Sequence, residues 1–173
     1  MKTKYIIIIA LSIIVIIGGI CLVRKLSKET IKEEDLDISE IKSFYITYSN
    51  GYAMNYYTRY ELDYKDGVYI AKIKPHGIRE EDLLEIEVEK EVMERIAEIL
   101  KKYQVNKWDG FDKTDQGVLD GDSFSFSVSL EGNKTIHASG YMMWPENYSS
   151  VRAELDDLFM EIYNKEKGNI EDE

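Results

Sequence analysis

Asp109, Asp112, Asp115, Asp120 and Asp122 fall within fourteen residues of the stretch WDGFDKTDQGVLDGDSF, interleaved with Gly110, Gly117 and Gly121. Several carboxylates on a flexible loop are the chemistry that calcium selects, because this hard cation gathers oxygen ligands from a pliable backbone. Asp112, Asp115, Asp120 and Asp122 are therefore the candidate calcium ligands. The spacing departs from the EF-hand loop. Counted from Asp112, the third, fifth and twelfth positions are Thr114, Gln116 and Ser123, and the last of these should be a bidentate acid. Aspartate and glycine also build turns by themselves, through side-chain-to-backbone bonds and positive φ. The loop is expected to be a structural connection, with calcium as the secondary reading and no cofactor assigned.

A second constellation pairs serine with histidine. SFSFSVSL, residues 123–130, alternates without exception, with serines on one face. A three-residue loop after it would set Leu130 opposite Ile136 and Val128 opposite Ala138. His137 then faces Ser129, with Ser127 and Ser139 beside it. A base next to a hydroxyl is the beginning of a nucleophile. Here it lacks a glycine-flanked nucleophile turn, an oxyanion donor and an orienting acid. The serines read as the solvated side of a strand, and no catalytic residue is assigned. His76, in Pro75-His76-Gly77, reads as a turn residue, and two isolated histidines make a zinc site a poor fit. The thirteen tyrosines offer rigid contact area with a polar tip. Most are expected in sheet packing. Tyr45, Tyr52, Tyr56 and Tyr57 are the candidates for a binding surface.

These residues need a scaffold, and the alternation and turn signals describe one. Asn50-Gly51 lies between β-prone runs and is a strong hairpin signal. A tight turn there would place Ile46 opposite Asn55 and Thr47 opposite Met54, an untidy match that suggests a bulge or a looser turn. Asp66-Gly67 begins a cleaner hairpin. It pairs Tyr64 with Tyr69, Leu62 with Ala71, Tyr60 with Ile73 and, on the other face, Glu61 with Lys72. Residues 83–89 read as a short strand. KEVMERIAEILKKYQ follows as a helix with a stripe of Val92, Ile96, Ile99, Leu100 and Tyr103. A final helix, capped by Asn147 or Ser149, carries Val151, Leu155, Leu158, Phe159 and Ile162. Hairpin followed by helix occurs twice, hinting at a pseudo-repeat. The expected fold is α+β: a mostly antiparallel sheet of about six strands with two amphipathic helices on one face.

The N-terminus belongs to a different environment. Tyr5 to Val23 is a run of 19 uncharged residues, ~28 Å as a helix and so close to the hydrocarbon thickness of a bilayer. The bulky Ile20 precedes the lone Cys21, and an A-x-A-like cleavage site is missing near the end of the run. An uncleaved anchor is expected, with lipidation of Cys21 as the lesser alternative. The basic flanks nearly balance, Lys2 and Lys4 against Arg24, Lys25 and Lys28, while the very short N-terminal tail favours an extracytoplasmic domain. The organisation is thus an anchor over 1–24, a charged spacer over 25–39, a soluble α+β domain over 40–165 and an acidic tail over 166–173. The first 28 residues hold five of the 22 basic residues and none of the 33 acidic ones; the remainder carries 17 against 33, a formal charge of −16. That charge repels phosphate and argues against nucleic acid as a partner. With no cysteine after Cys21, a disulfide scaffold is excluded.

The motifs W-D-G-F (108–111), V-L-D-G (118–121), S-F-S (123–125), A-S-G (138–140) and P-E-N-Y (145–148) resemble a family of small extracytoplasmic proteins and lipoproteins from Gram-positive, clostridia-like bacteria. The similarity spans roughly residues 40–163. It implies a bacterial envelope location and brings no catalytic residues. The expected function is that of a single-pass, membrane-anchored, non-enzymatic interaction domain in the cell membrane. An inhibitor or immunity-type protein for a basic partner is the narrower variant, since complementary charge speeds association. An envelope hydrolase or calcium-dependent module is the rival.

Overall fold

The computed structural model describes residues 41–49, 51 and 57–171. The anchor, the spacer, Tyr52 and Tyr56 lie outside the described residues. Among those described, no helix is long and apolar enough to cross a membrane.

The chain forms β1 (Ile41–Ser49), β2 (Tyr57–Lys65), β3 (Val68–Lys74), β4 (Leu84–Val88), α1 (Lys90–Lys102), β5 (Phe111–Thr114), β6 (Ser123–Leu130), β7 (Thr135–Tyr141) and α2 (Tyr148–Glu171). One sheet contains all seven strands in the order β4-β3-β2-β1-β6-β7-β5. Every neighbouring pair is antiparallel except β5 with β7. The fold is α+β, as expected, with seven strands where about six are expected. The extra strand is β5, inside the Asp/Gly stretch. Its single apolar residue, Phe111, gives no alternation to read, and only β7 alongside makes it a strand.

Side-chain alternation decides which face is buried. Phe44, Ile46 and Tyr48 of β1, Tyr60 and Leu62 of β2, Ala71 and Ile73 of β3, and Phe124, Phe126, Val128 and Leu130 of β6 all enter one core. Ile41 enters it as well, although it has the opposite parity to Phe44. A register shift against β6 between Ile41 and Ser43 makes this possible, because a bulge returns the strand to the same face. Both helices contribute their buried residues to this core. Phe159 of α2 stacks on Tyr60 at 4.4 Å and lies 6.0 Å from Phe44. Arg95 binds Glu161 at 2.8 Å and Lys102 binds Glu154, so α1 and α2 run antiparallel.

The Asp66-Gly67 hairpin has the expected register throughout, and Lys72 reaches Glu61 at 3.4 Å. The first hairpin takes the looser option. Ile46 pairs with Tyr60 and Ser49 with Tyr57, leaving residues 50–56 as the connection. This places Tyr60 and Leu62 beside Ile46 and Phe44, whereas the tight register would have offered Asn55 to the core. The β6–β7 register differs from expectation by two residues: Val128 faces Ile136, Phe126 faces Ala138 and Ser127 faces His137. The loop is still three residues, Glu131–Asn133, but it begins one residue earlier. Gly132 takes φ 70°, and the Leu130 N–H donates to the Lys134 carbonyl. A shift of two preserves the faces, so the core pattern survives. In α1 the buried residues are Met93, Ile96, Ala97 and Leu100, while Val92 and Ile99 are half-buried. The stripe is rotated toward Met93 and Ala97. Helix α2 continues to Glu171, into the acidic tail.

The opposite face of the sheet carries Ser43, Tyr45 and Thr47 on β1, the four serines of β6, and Thr135, His137 and Ser139 on β7. These residues are half-buried or exposed. Charges flank this hydroxyl-lined centre on the β2–β3 side.

Candidate functional site

The antiparallel registers bring the end of β1, the starts of β2 and β6, and the ends of β3 and β7 to one edge of the sheet. Ser49 pairs with both Tyr57 and Ser123, Arg59 with Lys74, and Ser123 with Tyr141. Ile41, where the chain enters the sheet, is at the opposite end of β1. Two polar clusters occupy this edge.

The first is built on α2. Arg152 and Asp156 are one turn apart on the flank of its apolar stripe. The Tyr48 and Tyr60 hydroxyls both donate to Asp156 Oδ1, that of Tyr60 at 2.9 Å. Arg152 Nε is 3.6 Å from Asp156 Oδ2, and its guanidinium lies 4.1 Å from the Tyr48 ring centre. Burial pushes the Asp156 carboxyl up to about 6, and the neighbouring Asp157 charge adds to the rise. Burial also pushes Tyr60 up to about 12, with Arg152 pulling the other way. A cavity of about 170 Å³ beside them is lined by Tyr48, Ser49, His76, Asp122 and Arg152. A carboxyl near 6 in a cleft is a recognised mark of functional sites. In this one, Oδ1 is engaged by two phenols, so the geometry makes Asp156 a clamp between α2 and the sheet.

The second cluster surrounds Tyr57. Its hydroxyl donates to Glu80 Oε2, and Arg59 Nη1 donates to Glu80 Oε1 at 3.0 Å. Arg59 Nε also binds Glu61 Oε1 at 2.6 Å. Lys74, the last residue of β3, is 0% exposed. Its Nζ donates to the Tyr57 carbonyl at 2.8 Å and sits 3.9 Å from the Tyr57 ring centre. Burial lowers the Lys74 ammonium below the ordinary lysine range, Glu80 pulls it back, and Arg59 pushes it further down. The hydrogen bond to Glu80, with burial behind it, raises the Tyr57 phenol. A cavity of about 450 Å³ is lined by Tyr57, Lys74, Gly77, Ile78, Arg79, Glu80 and Glu81.

The structure places the sequence-derived candidates as follows. Tyr57 is in the second cluster, and Tyr45 is half-buried on the open face of β1. The aspartates are not drawn together. Asp112, on β5, accepts from the Ser139 hydroxyl at 2.9 Å. Asp115 Oδ1 accepts the Gly117 N–H at 2.9 Å, a local turn bond. Asp109 Oδ1 accepts the His137 N–H at 3.2 Å. Asp122 lines the smaller cavity, and Asp120 is exposed two residues before it. Among the described residues, no group of three or more His, Cys, Asp or Glu side chains is arranged to hold a metal ion. Of the calcium candidates Asp112, Asp115, Asp120 and Asp122, Asp112 lies on β5 and Asp115 in the turn that directly follows it. The Ser129–His137 pairing is corrected. His137 faces Ser127, Ser129 faces Thr135, and the carboxylate of Asp109 meets the His137 backbone.

Asp156 and Lys74 are the residues that sequence reasoning missed. The signal for Asp156 was an Arg–Asp pair at i, i+4 bordering an apolar stripe. For Lys74 there was none, since a lysine at the end of an amphipathic strand reads as solvated.

Compared with known proteins, the chain matches no family model and no curated relative.

Proposed function

We propose that this chain is a membrane-anchored, extracytoplasmic, non-enzymatic interaction domain that meets a basic protein partner on the open face of its sheet. The observation that carries this reading is the face itself. Ser43, Tyr45 and Thr47 with the β6 serines and Ser139 make a surface of hydroxyls across the adjacent strands β1, β6 and β7, while both helices bury their stripes on the other side. Short hydroxyl side chains cost little entropy to order and pair readily with an incoming surface. The −16 charge of the chain after residue 28 supplies long-range attraction for a cationic protein. The uncharged segment 5–23 supports the anchor.

The test uses the full chain in intact cells. A photo-crosslinking residue at Ser125, exposed on the open face, should capture a basic protein, and one at Glu98, exposed on α1, should not. Capture should fall steeply with added salt and vanish in Ser127→Trp. Equal capture from both positions, or capture indifferent to salt, overturns the reading. Protease added to spheroplasts should remove the domain; survival until lysis would reverse the orientation.

A further inference from the structure

Among the described residues, Lys74 is the one charged side chain that is fully buried. A fully buried ammonium costs several kcal/mol in order of magnitude unless oppositely charged or strongly polar groups surround it. Here the surroundings are one backbone carbonyl, at 2.8 Å, and one face of the Tyr57 ring. An ammonium has three donors, so the carbonyl leaves most of that capacity unspent. Among the described residues no carboxylate lies within ion-pair distance of Lys74. The other cation lining this cavity, Arg79, holds Glu81 and Asp82, and Arg59 beside it holds Glu61 and Glu80. Glu80, the acid whose charge acts on Lys74, is itself occupied by Arg59 and the Tyr57 hydroxyl. The cavity that Lys74 borders holds about 450 Å³, within the range of small-molecule sites.

We propose that this cavity binds a small, singly charged carboxylate, its headgroup on the Lys74 ammonium and its apolar part against Ile78. A carboxylate satisfies the ammonium with charge-assisted hydrogen bonds, the strongest kind available to it. Glu80 and Glu81 on the same wall set the upper limit on charge: they repel a phosphate dianion more than a monoanion. Ile78 is half-buried there and provides an apolar wall for a short hydrocarbon group. The carboxylate can come from a free organic acid or from the C-terminus of a short peptide. This site is separate from the hydroxyl-lined centre of the sheet and stands whether or not a protein docks on it.

The experiment follows the lysine itself. The full chain, in detergent and with lysine labelled with carbon-13 at Cε, is titrated with isobutyrate, benzoate, N-acetyl-alanyl-alanine and inorganic phosphate. Isobutyramide, benzamide and N-acetyl-alanyl-alanine amide serve as uncharged partners. The carboxylates should shift the Lys74 resonance and move its titration to higher pH, because a bound anion favours the ammonium. The amides should bind at least about tenfold more weakly, the loss expected when a charged hydrogen bond disappears. Tighter binding of the dipeptide acid assigns the source to peptide C-termini, and tighter binding of isobutyrate or benzoate assigns it to free acids. Lys74→Met should abolish the carboxylate-dependent rise in melting temperature. Should that variant fail to fold, the wild-type titration decides alone. A Lys74 resonance unmoved by every acid, amides that match the acids, phosphate that binds more tightly than they do, or a folded Lys74→Met that still binds would each overturn the proposal.

Discussion

Replacing Asp156 with asparagine removes a charge and keeps the shape. The amide carbonyl can still accept from the Tyr48 and Tyr60 hydroxyls, so the variant isolates what ionisation costs. In the folded protein the carboxyl is pushed up to about 6, burial being the main cause, against an ordinary value of 3.8. A folded value above the unfolded one means that the native state holds its proton more tightly. Stability from this group is complete below the unfolded value and is lost as pH rises from about 3.8 to about 6. Two pH units correspond to a ceiling of about 3 kcal/mol. The side chain is 35% exposed, so solvent screens much of that, and Arg152 at 3.6 Å returns a little. A stabilisation of ~1 kcal/mol at pH 8 is therefore expected for Asp156→Asn. Near pH 3.5 the two proteins should coincide. Both tryptophans, Trp108 and Trp144, lie in the folded domain, so their fluorescence during urea unfolding of the full chain in neutral detergent reports this transition. A variant that is less stable at pH 8 by 1 kcal/mol or more (order of magnitude) and equal to wild type at pH 3.5 would refute the reasoning. It would mean that the tyrosines hold the carboxylate strongly enough to outweigh its burial.

Phe159→Ala should cost about 3–5 kcal/mol in the same unfolding assay, because it empties the space between Tyr60 and Phe44. Gly140→Ala should destabilise by about 1–3 kcal/mol or more: an added Cβ would meet the Met143 carbonyl oxygen at 2.0 Å and the Phe124 ring at 2.6 Å. Tyr60 and Tyr148 are both held near 12 by burial, so alkaline spectrophotometric titration should find two tyrosines ionising last. Their contribution to stability is complete below pH 10 and lost as pH climbs from there to about 12. Calcium titration should release no heat and leave the melting temperature unchanged; a saturable heat lost in Asp122→Asn would restore the loop as a metal site.

Local signals carried the hairpin at Asp66-Gly67 whole, since two turn residues with positive φ and matched alternation on either side leave a single consistent register. They carried β6 and the stripe of α2 for the same reason: a period of 2 or 3.6 is a property of the chain itself. The β6–β7 loop was misplaced by one residue, because either position for Gly132 keeps the apolar faces aligned and only the turn geometry distinguishes them. The rotation of α1 toward Met93 and Ala97 was invisible for a related reason. Alanine adds little to a hydrophobic stripe, and it is chosen where a neighbour comes close.

The sequence by itself determined six of the strands, both helices, the buried face of those strands and of α2, and the strong anionic balance, all of which follow from residue type and short spacing. The tertiary structure alone decided that β1 lies between β2 and β6, that β5 joins the edge in parallel, and that Asp156 meets Tyr48 and Tyr60 while Lys74 is enclosed beside Tyr57. Those contacts join residues that are up to 108 positions apart. Their protonation and pairing depend on which surfaces exclude water after packing, and no local pattern encodes that.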